Sequence, residues 1–197
     1  MSKEEIDQLL QKCSRSLRLA VVVALNTGLR KSELQSLRWG DIYYEQEVIR
    51  ICNSENGEPR DIPMNEAVKV AILSMPRHPE GAYVFCGKDG IPYNFRKAFE
   101  TAVKRAGISD FRWHDLRHTY ASHLAMAGVD LNTIRELLGH KSLAMTQRYS
   151  HLSKGHKAKA AGILHRRLGT GTSLAQPHVL EESHKSVDSV TPLDLVS

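Results

Sequence analysis

Arg30, Arg117, His114, His140 and Tyr149 form a set of side chains able to work on a phosphodiester without a metal ion. A phosphodiester attacked in line gathers charge on its non-bridging oxygens, and guanidinium groups hold that charge in a fixed, bidentate geometry. Arg30 and Arg117 fit that role. Histidines titrate near neutrality, so His114 and His140 are candidates for donating hydrogen bonds to the same oxygens or for moving a proton. A tyrosine hydroxyl, with an unperturbed pKa of about 10, becomes a usable nucleophile where nearby cations favour the phenolate, and it leaves a covalent phosphotyrosine that stores the bond energy. Tyr149, beside Arg148 and close to His151, is the candidate nucleophile.

A competing chemistry is written into His114-Asp115-Leu116-Arg117-His118, because two histidines four apart on one helical face have the spacing of a zinc site. Such a site would make the chain a zinc hydrolase. Against it, Asp115 stands where that motif carries its glutamate base, and the Arg117 cation would repel the metal. No metal is expected, and His118 reads as a histidine making structural hydrogen bonds on a packed helix.

These residues need elements to hold them. Ser2 and Glu5 form a capping box that starts a helix through Ile6, Leu9 and Leu10, and a second helix follows from about Arg15. Thr27-Gly28-Leu29-Arg30 interrupts it before Ser32, Glu33, Leu34 and Leu37 resume helical spacing, so Arg30 sits at a helix junction beside a glycine turn. Val48–Cys52 and Arg60–Pro63 read as strands of a hairpin around Asn56-Gly57, with a third short strand over Tyr83–Cys86. Helices are expected over Phe95–Ala106, Leu116–Ala127, Leu131–Leu138, Ala144–His151 and Lys154–Arg167, broken at Gly107, Gly128 and Gly139. The fold class is therefore mixed α/β, mainly α-helical with a small antiparallel β-sheet.

A length of 197 residues with 41% hydrophobic content suits one domain, or one domain plus a tail. The apolar run around Leu19–Leu25 is shorter than the roughly 20 residues that span a bilayer, and no signal sequence opens the chain, so a cytoplasmic location is expected. Cys13, Cys52 and Cys86 are widely spaced, with no C-x-x-C, and read as reduced thiols. The formal net charge of +5 is unevenly spread: residues 1–92 net −1, residues 93–168 net +9 and residues 169–197 net −3. A cationic second half concentrates polyanions and makes their binding salt-sensitive. Beyond Leu168 the composition turns to Gly, Thr, Ser, Pro and scattered acids, as in a flexible tail.

Thr27-Gly28-Leu29-Arg30-Lys31-Ser32-Glu33, His114-Asp115-Leu116-Arg117-His118, Leu138-Gly139-His140 and Tyr149 follow the order and spacing T-G-x-R-x-x-E, H-x-L-R-H, L-G-H and tyrosine. On these residues the chain resembles the catalytic domain of the tyrosine recombinase (phage integrase) family over roughly residues 3–167. The resemblance implies site-specific cleavage and rejoining of double-stranded DNA, with no cofactor. Arg30, Arg117, His114 and His140 would bind and activate the scissile phosphate. Tyr149 would form a 3′-phosphotyrosyl link and release a 5′-hydroxyl. Glu33, one turn from Arg30, would support that arginine; its plainer reading is an exposed helix carboxylate. The helix expected after Tyr149 alternates apolar and basic positions and has two places to pack, its own domain or a neighbouring protomer; the resemblance implies that such a segment links protomers in a synaptic tetramer on DNA.

The family also carries a hairpin lysine thought to protonate the departing 5′-oxygen, in a context like K-N-G-x-P-R-x-I-P. Here Ser54-Glu55-Asn56-Gly57-Glu58-Pro59-Arg60-Asp61-Ile62-Pro63 puts Glu55 in its place, and Arg60 is a poor proton donor. No lysine stands between Lys31 and Lys69, so three readings stay open: an altered residue at 55, a natural chain with impaired cleavage, or a lysine from elsewhere, such as Lys88, taking over. Residues 1–168 are expected to form the catalytic domain and 169–197 the tail, without the N-terminal core-binding domain that closes around DNA, which points to a piece of a longer protein. The same residues leave room for a cleavage-impaired DNA-binding module of the same fold and for a type IB topoisomerase-like enzyme.

Overall fold

The capping box is formed: the Glu5 N–H donates to Ser2 Oγ at 3.2 Å and the Ser2 N–H to Glu5 Oε2 at 2.7 Å, opening α1 (Lys3–Lys12). This computed structural model describes residues 1–52, 59–79, 81–152 and Arg167. Glu55, the Asn56-Gly57 turn, the segment from 169 and, apart from Arg167, the helix expected over Lys154–Arg167 lie outside the described residues. Met1–His156 form one compact unit.

Helix α2 (Arg15–Thr27) is buried along Leu17, Ala20, Val21, Val23, Ala24 and Thr27, an apolar face broad enough for it to serve as the central helix. It ends at Gly28, whose φ of +64° is left-handed, and a Cβ there would meet Tyr120 Cδ1 at 2.5 Å. Only glycine satisfies both conditions. The chain turns at once into α3 (Lys31–Gln35), with Arg30 at its N-cap.

A 3₁₀ turn (Trp39–Asp41) leads to a three-stranded antiparallel sheet, β1 (Ile42–Tyr43), β2 (Val48–Ile51) and β3 (Arg60–Pro63), in the order β1-β2-β3. The register pairs Ile49 with Ile62 and Ile51 with Arg60, so β2 turns Ile49 and Ile51 inward. With two residues, β1 is too short to read from the sequence. The strand expected over Tyr83–Cys86 is not part of the sheet. It makes isolated bridges, Arg38 with Tyr83 and Cys86 with Pro92, because its backbone pairs with loops: the Val84 N–H donates to Leu37 O at 2.8 Å and the Tyr93 N–H to Phe85 O at 3.0 Å.

Helix α4 (Glu66–Leu73), not expected from the sequence, is capped by Asn65 Oδ1, which accepts from the Val68 N–H at 3.0 Å. Then come α5 (Arg96–Arg105), α6 (Trp113–Ala127), α7 (Leu131–Leu138), α8 (Leu143–Gln147) and a 3₁₀ turn (Ser150–Leu152). Helix α6 starts three residues earlier than expected, which brings His114 into its first turn. The helix expected over Ala144–His151 is broken: α8 stops at Gln147, and Tyr149 lies in the turn before Ser150–Leu152. The physical reason is packing. The Tyr149 ring is buried with Ala121, Ala125, Ile134 and Leu138, forming a second core beside the main one, and the Tyr149 N–H bonds to Thr146 O in an i to i−3 step that tightens the chain.

Candidate active site

The C-terminal end of α7 organises the site. A helix leaves its last carbonyls without intrahelical partners and carries partial negative charge there. Three arginines from distant parts of the chain donate to them: Arg60 Nε to Leu137 O at 3.2 Å, Arg117 Nη2 to Leu138 O at 2.5 Å and Arg30 Nη2 to Gly139 O at 3.4 Å. Arg117, only 3% exposed, also donates from Nη1 to Gly28 O at 2.7 Å, tying α6 to the α2–α3 junction and to the end of α7. Bonds of a charged donor to backbone are worth about 1.5–3 kcal/mol each, and they hold the guanidinium in a single orientation. Gly139, at φ +62°, lets the chain reverse after α7; a Cβ there would press on Arg60 Cδ at 3.0 Å.

Glu33 lies among these cations. It accepts the Arg30 N–H at 2.8 Å and Arg30 Nη1 at 3.0 Å, and it receives Arg60 Nη1 at 2.9 Å and Nη2 at 2.8 Å. Its side chain is 2% exposed, so the exposed-carboxylate reading is overturned. Burial would push its pKa up, but the Arg60 and Arg30 guanidiniums and the backbone bond prevail and hold it below the usual carboxylate range. The sequence presents Arg60 only as a poor replacement for the hairpin lysine. Its partnership with Glu33 spans 27 positions and has no local signal.

Arg30, His114, Arg117, His118, His140, Met145, Arg148 and Tyr149 line one cleft of ≈ 180 Å³. All five residues singled out for phosphodiester chemistry are thus together. Three others join them: His118, Arg148 and the apolar Met145. His118 is on the same face of α6 as His114, their rings edge to face at 4.7 Å, and its Nδ1 is 2.5 Å from Tyr149 Oη. It therefore faces the candidate nucleophile rather than serving only as a packed structural histidine; the i, i+4 spacing with His114 is the signal the sequence offers. His140 Nδ1 is 2.9 Å from the buried Thr146 hydroxyl, which fixes its ring. Glu55 lies outside the described residues.

The electrostatics follow from cations gathered in partial burial. Desolvation, then Arg117, Arg30 and Arg148, lowers His140 to about 4, so it is neutral at pH 7. Desolvation and neighbouring cations also lower His114, and desolvation and His114 lower His118. Burial and the Arg30 cation bring Arg117 down to about 10. Tyr149 departs from the expectation that cations would favour its phenolate. Burial raises its pKa, and Arg148 and Arg117 offset this only in part. Among the described residues there is no group of three or more His, Cys, Asp or Glu arranged to hold a metal ion.

This fold and this cleft define a catalytic domain of the tyrosine recombinase type, and the chain belongs to the phage integrase family, whose model matches residues 1–156. It is similar to the integrase of Salmonella phage P22, 32% identical over 185 residues that cover 86% of this chain and 48% of that protein. It is likewise similar to the tyrosine recombinase XerA of Pyrococcus furiosus, 30% identical over 171 residues that cover 81% of this chain and 59% of that one. The chain thus spans about half the length of the curated relatives it matches. Among solved structures, the catalytic domain of bacteriophage HP1 integrase superposes with a TM-score of 0.67 at 30% identity, covering 82% of this chain and 92% of that domain.

Proposed function

We propose that this chain performs site-specific cleavage and rejoining of double-stranded DNA through a 3′-phosphotyrosyl intermediate. The observation that carries the proposal is the convergence of Arg30, Arg117, His114 and His140 on the cleft that holds Tyr149. In this reading Arg30 and Arg117 take the non-bridging oxygens of the scissile phosphate. Their guanidiniums are held beforehand by Glu33 and by backbone carbonyls, so little reorganisation accompanies the reaction. His114 and His140, neutral before DNA arrives, donate N–H bonds to the same oxygens, and the incoming negative charge draws their pKa values upward. Tyr149 Oη attacks phosphorus, the P–O5′ bond breaks, and the 5′-hydroxyl leaves. The reverse attack by a 5′-hydroxyl of another strand rejoins the DNA.

The integrase and recombinase relatives support this reading over a non-cleaving DNA-binding module or a topoisomerase. Exchange between duplexes requires further protomers in a synaptic tetramer on DNA. The catalytic domain would occupy residues 1–168, no cofactor is needed, and the protein would work in the cytoplasm on the nucleoid. No helix among the described residues is long and apolar enough to cross a membrane. The test uses nicked duplexes with a randomised core, from which the chain captures its own target. A protein–DNA adduct that survives denaturing electrophoresis, and is absent for Tyr149→Phe, is the expected result; an adduct that persists in Tyr149→Phe overturns the assignment.

A further inference from the structure

We propose that His118 is a catalytic residue: through Nδ1 it takes the phenolic proton of Tyr149 as Oη attacks phosphorus, and it returns that proton when the link is reversed. This rests on the DNA-cleavage reading of the same cleft. It is carried by the 2.5 Å separation of His118 Nδ1 from Tyr149 Oη, within the reach required of a general base. The ring is aimed from α6, which packs against α7 and is tied to its end through Arg117, and Tyr149 is turned toward it by the break after α8. Two rigid elements therefore meet at this hydrogen bond.

The need for a base follows from the nucleophile's surroundings. Burial holds the Tyr149 proton more tightly than in water, so the phenolate is not already present at neutral pH. The groups facing His118 are His114, Asp115 and Arg117 of its own helix, Arg148 and Tyr149 from the chain after α8, and His140 after α7. Desolvation and the positive charges among them keep its imidazole neutral, and Asp115 opposes them only in part. A neutral imidazole whose Nδ1 faces a phenol is an acceptor there if its own proton is on Nε2.

The step balances. The phenolic O–H bond breaks and its proton goes to His118 Nδ1, the Oη–P bond forms, and the P–O5′ bond breaks with its electron pair on O5′. The phenolic proton stays on His118 as the imidazolium, and a second proton, drawn from solvent through a separate acid, completes the 5′-hydroxyl. In rejoining, phenolate leaves phosphorus and recovers the proton from the His118 imidazolium. His118 thus serves the attack, while the acid for the leaving oxygen is a separate group.

Two measurements on the full chain test this. Nitrogen-15 NMR of the DNA-free protein is expected to show His118 as the Nε2–H tautomer with Nδ1 unprotonated; a protonated Nδ1 overturns the proposal. His118→Asn keeps an acceptor oxygen near the Nδ1 position but cannot take a proton. With the nicked, randomised-core duplexes, it is expected to bind DNA as the wild type does, to form adduct about 10²–10⁴-fold more slowly and to lose the histidine limb of the pH–rate profile. Adduct formation at the wild-type rate with an unchanged profile removes His118 from the reaction while leaving Tyr149 in it. If the wild type itself forms no adduct, DNA cleavage is the reading that fails, and the role of His118 falls with it.

Discussion

Replacing Glu33 by Gln removes the counter-charge of Arg30 and Arg60 while keeping the side chain's size. The carboxylate accepts four hydrogen bonds from these two residues at 2.8–3.0 Å with 2% exposure. Gln offers one acceptor oxygen, turns an NH₂ donor toward guanidinium donors, and leaves two largely buried cations near the Arg117 cation. Breaking a buried pair from one side costs about 3–5 kcal/mol, a large share of the roughly 5–15 kcal/mol that stabilises a domain. The loss also has a pH signature. Because the Glu33 pKa is lowered in the folded chain, its stabilisation is full above the unfolded carboxyl value of about 4.3 and is lost as pH falls through the lower folded value. Urea denaturation of wild type and Glu33→Gln across pH is therefore expected to show a gap of about 3–5 kcal/mol at pH 7 that closes as the pH drops below the folded value. No gap at pH 7, or a gap undiminished in acid, refutes the reasoning.

Arg117→Lys loses the fork that reaches Gly28 O and Leu138 O together, so denaturation should show a loss of about 1.5–3 kcal/mol for each bond not remade. Adduct formation should fall at least about 10²-fold, the scale of removing one preorganised donor. Gly28→Ala meets Tyr120 Cδ1 at 2.5 Å with φ at +64°, and thermal denaturation should register a loss of about 2–4 kcal/mol from strain and overpacking combined. Glu55→Lys, which supplies a proton donor at the position where the family carries its lysine, is expected to raise cleavage of a nicked suicide duplex. Unchanged or lower cleavage would show that position 55 is not the leaving-group site.

Features carried by neighbouring residues are legible in the sequence. The Ser2–Glu5 capping box, the Gly28 and Gly139 turns, the two main strands and the five-residue phosphodiester set depend on local backbone demands or on motif spacing. What is illegible depends on residues far apart in the chain. Nothing local marks Arg60 as the partner of Glu33 and Leu137, and the bridging strand at Tyr83 takes its hydrogen bonds from loops. The break at Tyr149 answers to a core built from α6 and α7, which overrides the helical spacing of 144–151. The raised Tyr149 pKa follows from that same burial, a property of the folded core that outweighs the cations of Arg148 and Arg117.

The central claim is that Tyr149 becomes covalently joined to a DNA 3′-phosphate. Its most direct test is mass spectrometry of the adduct formed on nicked duplex, after digestion of protein and DNA. The expected result is a nucleotide 3′-phosphate on the peptide containing Tyr149, attached at Tyr149 itself; attachment at any other residue contradicts the claim.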